Sequence, residues 1–411
     1  MKIFSAVLVA LPLFAGCCAS ASPVPKAPAP AVKAPAPAVK APAPAVKAPA
    51  NRVKLQLPPA IYAVPGVESC IYFDNVVCVV NPDNYVFDVK CAKGRNDQKR
   101  WRYTPAAGEK GSFDLELTVL SDNGVEAVGK TKVIVTPADA GKGKNFAILV
   151  IGDSLTAASV YPKRTFDLLT RNGHPQVKFL GTTGRTNSTV KHEGYGGWAW
   201  KTFLTKTQAR KVAPGEKPRA YYRASPFLFK GKFSLAQYLK ENHQGRVPDF
   251  ITIQLGVNDV FGATDANQST VIAGILENAD KLIAALRKDA PNAIIGVGLV
   301  TPGARTQDAF GNNYKNGQTR WQYKKNQHAL NAAMLKKFAS YPDKKVFLIP
   351  TNVNLDCENN FPARKEAVNG PEFKGNRRVT TRQSNGVHPA AAGYDQMGDT
   401  FYCWLKYQLS R

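Results

Sequence analysis

Hydrophobic and polar residues follow two different patterns along this chain, and the change occurs near residue 140. Between residues 51 and 138 the apolar positions form short β-branched and aromatic runs, or alternate with polar residues as in 113–119. Turn signals rich in Asn, Asp, Pro and Gly separate these runs at 81–84 and 121–124. Several short strands without a helical pattern predict a small all-β sandwich for residues 51–138.

From residue 146 onward, short and nearly continuous apolar runs alternate with longer amphipathic stretches. Such runs are typical of strands that are covered on both faces of a sheet. They lie at 146–151, 177–180, 250–255, 294–300 and 346–349, and the clearest helical stretches between them are 271–287 and 321–338. This alternation predicts an α/β domain over residues 139–411 with a mostly parallel sheet, whose chemistry should lie at the carboxyl ends of the strands.

The first 50 residues differ from both regions. Lys2 precedes an apolar run too short to span a bilayer comfortably, so residues 1–21 are interpreted as a signal peptide. Two processing sites overlap there: Leu-Phe-Ala-Gly-Cys, which would place a lipid on Cys17, and Ala-Ser-Ala at 19–21. Residues 22–50 repeat Lys-Ala-Pro-Ala-Pro-Ala-Val and predict an extended linker. We therefore expect an exported protein, either periplasmic, secreted or a cell-surface lipoprotein.

Four short segments carry the candidate chemistry. Gly-Asp-Ser-Leu-Thr at 152–156 follows the first strand, and His-Glu-Gly-Tyr-Gly-Gly-Trp at 192–198 follows the second. Gly-Val-Asn-Asp at 256–259 follows the third strand, and Asn-Gly-Val-His-Pro at 385–389 precedes the last helix. In this order they resemble the four blocks of SGNH (GDSL-like) hydrolases, over roughly residues 146–408. The resemblance implies a three-layer α/β/α flavodoxin-like fold and a serine esterase that needs no metal or organic cofactor.

The resemblance also implies a role for each residue in these blocks. Ser154 is the nucleophile and His388 is the base that takes its proton. The oxyanion donors are the amides of Ser154 and Gly197 and the side chain of Asn258. Many family members have an aspartate where this chain has Asn385, so the third member is either Asn385, which offers a neutral carbonyl to the imidazole, or an acid from elsewhere.

Basic residues are in large excess and lie mainly in the second region. The chain carries 55 Lys and Arg against 30 Asp and Glu, a net charge of +25. Two basic stretches, 199–240 and 364–382, flank strand ends at the expected site. They indicate either a groove for an anionic polymer, with interleaved aromatic side chains stacking on sugar rings, or a solvated basic surface. Because no nucleic-acid motif is present, we expect no nucleic-acid partner.

Three further sets of residues leave alternatives open at this stage. Trp101 and Tyr103 either bind sugar or belong to the core. His192 is a candidate pocket residue beside the glycine block, Gly-Tyr-Gly-Gly at 194–197. No Cys-x-x-Cys pair occurs among the seven cysteines, which makes a zinc site improbable. An oxidising compartment permits disulfides among the last five, but buried free thiols are the simpler expectation.

Together these features predict an exported esterase that removes O-acyl groups, above all acetyl, from an oligo- or polysaccharide that is anionic under the groove interpretation. Its only membrane link would be a lipid on Cys17. Two alternatives remain: a lipid esterase or lysophospholipase, and a stalked carbohydrate-binding protein with little activity.

Overall fold

The computed structural model describes residues 52–171, 175–314 and 317–411. The predicted signal peptide, the whole predicted linker at 22–50, Cys17 and His174 lie outside the described residues. The described residues belong to one compact unit. The boundary that we place at residue 138 stays a prediction.

Residues 52–135 form two small sheets that contribute to a common apolar core. The strands are β1 (Ala60–Ala63), β2 (Ser69–Tyr72), β3 (Val86–Cys91), β4 (Arg95–Asn96), β5 (Arg100–Tyr103), β6 (Gly111–Ser121) and β7 (Gly124–Val135). One sheet has the order β1-β7-β6-β3, with β1 parallel to β7, and the other is β2-β5-β4. Trp101 is 1% exposed and Tyr103 is 8% exposed within the core, so the sugar-binding interpretation of these two residues is wrong.

Val-Val-Cys-Val-Val at 76–80 is a β-branched run that predicts a strand, but it does not form one. A short helix, α1 (Phe73–Val76), interrupts the chain after β2, and Val77 makes only an isolated bridge to Leu55. The helical turn places Asn75 where its amide donates hydrogen bonds to the carbonyls of Val353 and Leu355. Contacts with a distant segment therefore override the local β propensity.

The remaining strands form a central sheet and two hairpins. They are β8 (Asn145–Gly152), β9 (Gln176–Leu180), β10 (Glu193–Gly194), β11 (Leu228–Phe229), β12 (Lys232–Phe233), β13 (Phe250–Gln254), β14 (Ile294–Gly298), β15 (Val346–Ile349), β16 (Ala363–Ala367) and β17 (Val379–Gln383). In the central sheet β8 pairs with β13, which is followed by β14 and β15. The other edge of β8 pairs with β9 and, near its carboxyl end, with β10. All of these pairs are parallel, which confirms the predicted sheet.

Helices cover both faces of the central sheet. They are α2 (Ser154–Ala157), α3 (Val160–Leu169), α4 (Trp200–Thr205), α5 (Leu235–His243), α6 (Val257–Val260), α7 (Gln268–Asp289), α8 (Gln307–Asn313), α9 (Arg320–Ala339) and α10 (Ala391–Leu409). α3 packs on α10, while α7 packs on α4, α5 and α9. This is the expected three-layer α/β/α architecture. Since β8 has β9 on one side and β13 on the other, the strand order reverses there, and the crevice for a ligand opens at their carboxyl ends.

The β part contacts the α/β part through buried polar groups. The Tyr72 amide donates to the Val353 carbonyl at 3.0 Å. Asp74 forms ion pairs with Lys324, with Arg320 at 3.0 Å and with Arg305 at 3.5 Å. Burial raises the pKa of Asp74, but these three cations outweigh burial and hold it below its usual value.

The five cysteines in the described part of the chain are free thiols. Cys70, Cys357 and Cys403 are buried, in line with the simpler of the two expectations for the cysteines. Among residues 52–171, 175–314 and 317–411, no helix is long and apolar enough to cross a membrane.

Candidate active site

Ser154 lies at the carboxyl end of β8, in a tight strand-to-helix turn. Asp153 caps α2 by accepting a 2.9 Å hydrogen bond from the Leu155 amide, and Ser154 is the first residue of that helix. The turn is closely packed, since a methyl group placed on Gly194 would lie 2.6 Å from the Ala157 amide nitrogen. The hydroxyl of Ser154 is therefore presented at the crevice, as the sequence predicts.

His388 returns to this strand end from 234 positions further along the chain. Its Nε2 is 2.8 Å from Ser154 Oγ. Burial lowers the pKa of His388, so the imidazole is neutral at pH 7 and its Nε2 can accept the serine proton. This tautomer carries its hydrogen on Nδ1.

Asn385 organises the loop that carries His388. Its Oδ1 accepts hydrogen bonds from the amides of Val387 at 3.0 Å and His388 at 2.9 Å, and it lies 3.3 Å from His388 Nδ1. Asn385 Oδ1 is thus placed to accept a long hydrogen bond from His388 Nδ1–H. Asp399 instead pairs with Arg164 at 2.8 Å, which makes it a poor candidate for an alternative third member.

The expected oxyanion donors lie at the same edge of the sheet. Gly197 has φ of +76°, a backbone conformation that glycine adopts readily. Asn258, in α6 directly after β13, donates one amide hydrogen to the Trp198 carbonyl at 2.9 Å. An amide NH2 has two hydrogens, so the second can be donated to substrate.

Two buried carboxyl groups support these loops. Burial raises the pKa of Asp153 to about 7, with a further contribution from the neighbouring Asp259, and burial likewise raises the pKa of Asp259 to about 7. Asp259 accepts a 3.1 Å hydrogen bond from the Trp200 amide and so connects α6 to the first residue of α4. Among the described residues, the other oxygen of each carboxyl has no partner.

His192, a candidate pocket residue from its place in the sequence, does not line the site. It is 1% exposed, with Nε2 2.7 Å from Ser159 Oγ and Nδ1 2.9 Å from Thr183 Oγ1. Burial lowers its pKa to about 4. This second Ser–His pair is internal, because the chain after β9 folds back against β8 before the glycine block begins.

Sequence reasoning did not single out Tyr221 from the other aromatic residues of 199–240. Tyr222 and Phe227 are buried, whereas Tyr221 is partly exposed and lies beside Ser154. A methyl group on Gly196 would lie 3.5 Å from Tyr221 Cδ1 and 4.0 Å from Ser154 Cβ. In the sequence, only the position of Tyr221 within the basic stretch 199–240 connects it with the site.

Among the described residues, no three His, Cys, Asp or Glu side chains cluster so that they could hold a metal ion.

Comparison with known proteins agrees with this geometry. Residues 150–396 match the GDSL-like Lipase/Acylhydrolase family. No curated protein matches the chain. Among solved structures, a Clostridium thermocellum family 3 carbohydrate esterase is 16% identical, with 65% of this chain and all of that chain covered and a TM-score of 0.37.

Two further solved structures are similar to the chain. A family two carbohydrate esterase from Clostridium thermocellum, solved with cellohexaose, is 12% identical over 85% of this chain and 94% of that chain, with a TM-score of 0.35. A lipase/acylhydrolase from Enterococcus faecalis is 15% identical over 64% of this chain and 96% of that chain, with a TM-score of 0.31. Because the matched residues span more than half of the chain, the protein is an ester-hydrolysing member of the GDSL-like lipase/acylhydrolase family.

Proposed function

We propose that the protein is an exported serine esterase that removes O-acyl groups, above all acetyl, from a carbohydrate. The observation that carries the chemistry is the 2.8 Å contact between Ser154 Oγ and His388 Nε2 at the carboxyl end of β8. The observation that favours a sugar is the partly exposed ring of Tyr221 beside Ser154, within a strongly basic segment.

The chemistry proceeds in two halves. His388 Nε2 accepts the proton of Ser154 as Oγ attacks the ester carbonyl, and the amides of Ser154 and Gly197 and the side chain of Asn258 stabilise the oxyanion. The imidazolium then protonates the departing sugar hydroxyl, which leaves an acyl-serine. Water, deprotonated by His388, attacks that acyl group and releases the carboxylic acid, which restores Ser154.

One structural feature favours a second candidate, a lipid esterase. The hairpin of β16 and β17 exposes Phe373 (58%) and Val379 (60%) beside several cations. Apolar side chains among Lys and Arg are typical of segments that lie on a membrane surface. The preferred acyl chain separates the two functions, since a lipid esterase requires room for a long chain.

The first experiment compares an acetate ester and a dodecanoate ester of a chromogenic alcohol, together with acetate release from acetylated oligosaccharides. We expect acetate to be preferred, and we expect Ser154→Ala to lose at least about 10³-fold in kcat. Ser159→Ala is the matched control because Ser159 forms the other, buried Ser–His pair; assayed per mole of folded protein, it should retain turnover.

Each outcome has a clear meaning. Turnover that persists in Ser154→Ala contradicts the proposed nucleophile. A preference for dodecanoate, with no acetate released from the oligosaccharides, favours the lipid esterase. Export is tested separately by the intact mass after expression in a bacterial host: a lipid-modified Cys17 or an N-terminus at Ser22 supports it, and an unprocessed chain contradicts it.

A further inference from the structure

The segment 206–223 is held against the glycine block by specific hydrogen bonds. The carbonyl of Tyr221 accepts one from Trp198 Nε1 at 3.2 Å and one from Lys206 Nζ at 2.5 Å. Trp198 in turn contacts the candidate oxyanion residue Asn258. Trp198 therefore contacts both Tyr221 and the candidate oxyanion residue Asn258.

The inner part of this segment is organised around Glu216, its single acidic residue. Glu216 accepts hydrogen bonds from the Tyr222 hydroxyl, from the Ala213 amide and from Arg210 at 3.3 Å. The guanidinium of Arg210 also lies over the Tyr222 ring, 4.4 Å from its centroid. These groups engage the Glu216 carboxylate, and its salt bridge is made to Arg210.

Those cations lie on the exposed side, next to Tyr221. Arg219 is exposed, and its guanidinium carbon is 6.0 Å from the Tyr221 ring centroid. Within the part of the chain that the structure describes, Lys217, Arg219 and Arg223 have no ion-pair partner. An aromatic ring beside the nucleophile therefore has a free guanidinium next to it.

We propose that Tyr221 and Arg219 form a substrate subsite that binds a sugar ring bearing a carboxylate. The ring of Tyr221 supplies an apolar, flat surface for the sugar, and the planar guanidinium of Arg219 can make two parallel hydrogen bonds to a carboxylate. The preferred substrate is then an acetylated oligosaccharide that contains uronic acid. This inference rests on the proposed carbohydrate esterase function.

The test measures kcat/KM on acetylated oligogalacturonides, on acetylated neutral xylo-oligosaccharides and on a chromogenic acetate. The wild-type protein should prefer the acidic saccharide, and the preference should weaken as salt is raised. Arg219→Gln should lower the ratio of acidic to neutral kcat/KM about 5- to 10-fold, and Arg219→Lys should restore part of it. Tyr221→Ala should lower kcat/KM on both saccharides relative to the chromogenic acetate about 3- to 10-fold, and Tyr221→Phe should restore it.

Lys240→Gln is the matched control, since Lys240 is an exposed cation on α5 away from the segment; its acidic-to-neutral ratio should equal that of the wild type. Equal kcat/KM on both saccharides, with a ratio that Arg219→Gln does not change, would overturn the subsite and leave the carbohydrate esterase function intact. Turnover of the chromogenic acetate with neither saccharide hydrolysed would overturn both.

Discussion

Replacing Asn385 tests how this enzyme positions its base. Asn385 Oδ1 accepts hydrogen bonds from the amides of Val387 and His388 and lies 3.3 Å from His388 Nδ1. Asn385→Ala removes all three contacts, each of which contributes about 1 kcal/mol. Because part of this is recovered by solvent, we expect a loss of about 2 kcal/mol in transition-state stabilisation, which is about 30-fold in kcat/KM.

Asn385→Asp keeps the acceptor and adds a charge. Two unit charges 3.3 Å apart interact by about 5 kcal/mol at an effective dielectric constant of 20, which is an upper bound because the new carboxylate must also be desolvated. We expect about 1 to 2 kcal/mol of net stabilisation of the imidazolium. A nearby carboxylate favours the protonated imidazole, so the pKa of His388 rises in this variant. As the pH is lowered, Asn385→Asp should therefore lose activity at a higher pH than the wild type does.

The assay is kcat/KM for a chromogenic acetate between pH 4 and 9. Asn81→Ala is the control, since Asn81 caps a turn of the β part by accepting a hydrogen bond from the Asp83 amide. An Asn385→Ala rate within twofold of the wild type, with the same pH profile, would refute a positioning role for Asn385. An Asn385→Asp profile that does not move to higher pH would show that the side chain does not act on Nδ1.

Three largely buried titratable groups, His388, Asp259 and Asp74, give further predictions. Burial lowers the pKa of His388, so kcat/KM should fall to half its maximum at a pH below 6.5; a midpoint at or above 6.5 contradicts this. Burial raises the pKa of Asp259 to about 7 against about 3.9 in the unfolded chain, so the native carboxyl destabilises the protein increasingly as pH rises through that window. Asp259→Asn should therefore gain about 2 kcal/mol relative to the wild type between pH 5 and pH 7 in denaturant unfolding, whereas a constant difference would exclude the shift. Asp74→Asn leaves Arg320 and buried Lys324 without a counter-charge, whereas Arg305 keeps its ion pair with Asp83. The substitution should cost about 3 to 5 kcal/mol of unfolding free energy, while the exposed Glu277→Gln should change it little.

The sequence predicted the central sheet well, because strands covered on both faces must be apolar at nearly every position. Val346–Ile349, for example, is a strand as expected, and its partner is β14. The β part was predicted less accurately. Its run at 76–80 is not a strand, because α1 instead turns Asn75 toward Val353 and Leu355.

Local pattern also could not separate residues of the same type. His192 and His388 each lie beside a glycine-containing block, but one is enclosed by Ser159 and Thr183 and the other reaches Ser154. Trp101 is of a residue type that can stack on sugars, but it is buried in the core. The contact that distinguishes His388 comes from a residue 234 positions away in the chain.

The sequence by itself determined the class of chemistry, because a candidate nucleophile, a candidate base and a candidate oxyanion donor occur in short blocks. The order of these blocks and their place at strand ends can be read from the sequence. Only the tertiary structure decided which side chains surround that chemistry. Tyr221 lies beside Ser154, and Phe227 of the same basic stretch is buried, because the hydrogen bonds from Trp198 and Lys206 set the path of the intervening chain. Substrate recognition depends on such long-range packing, which has no local pattern in the sequence.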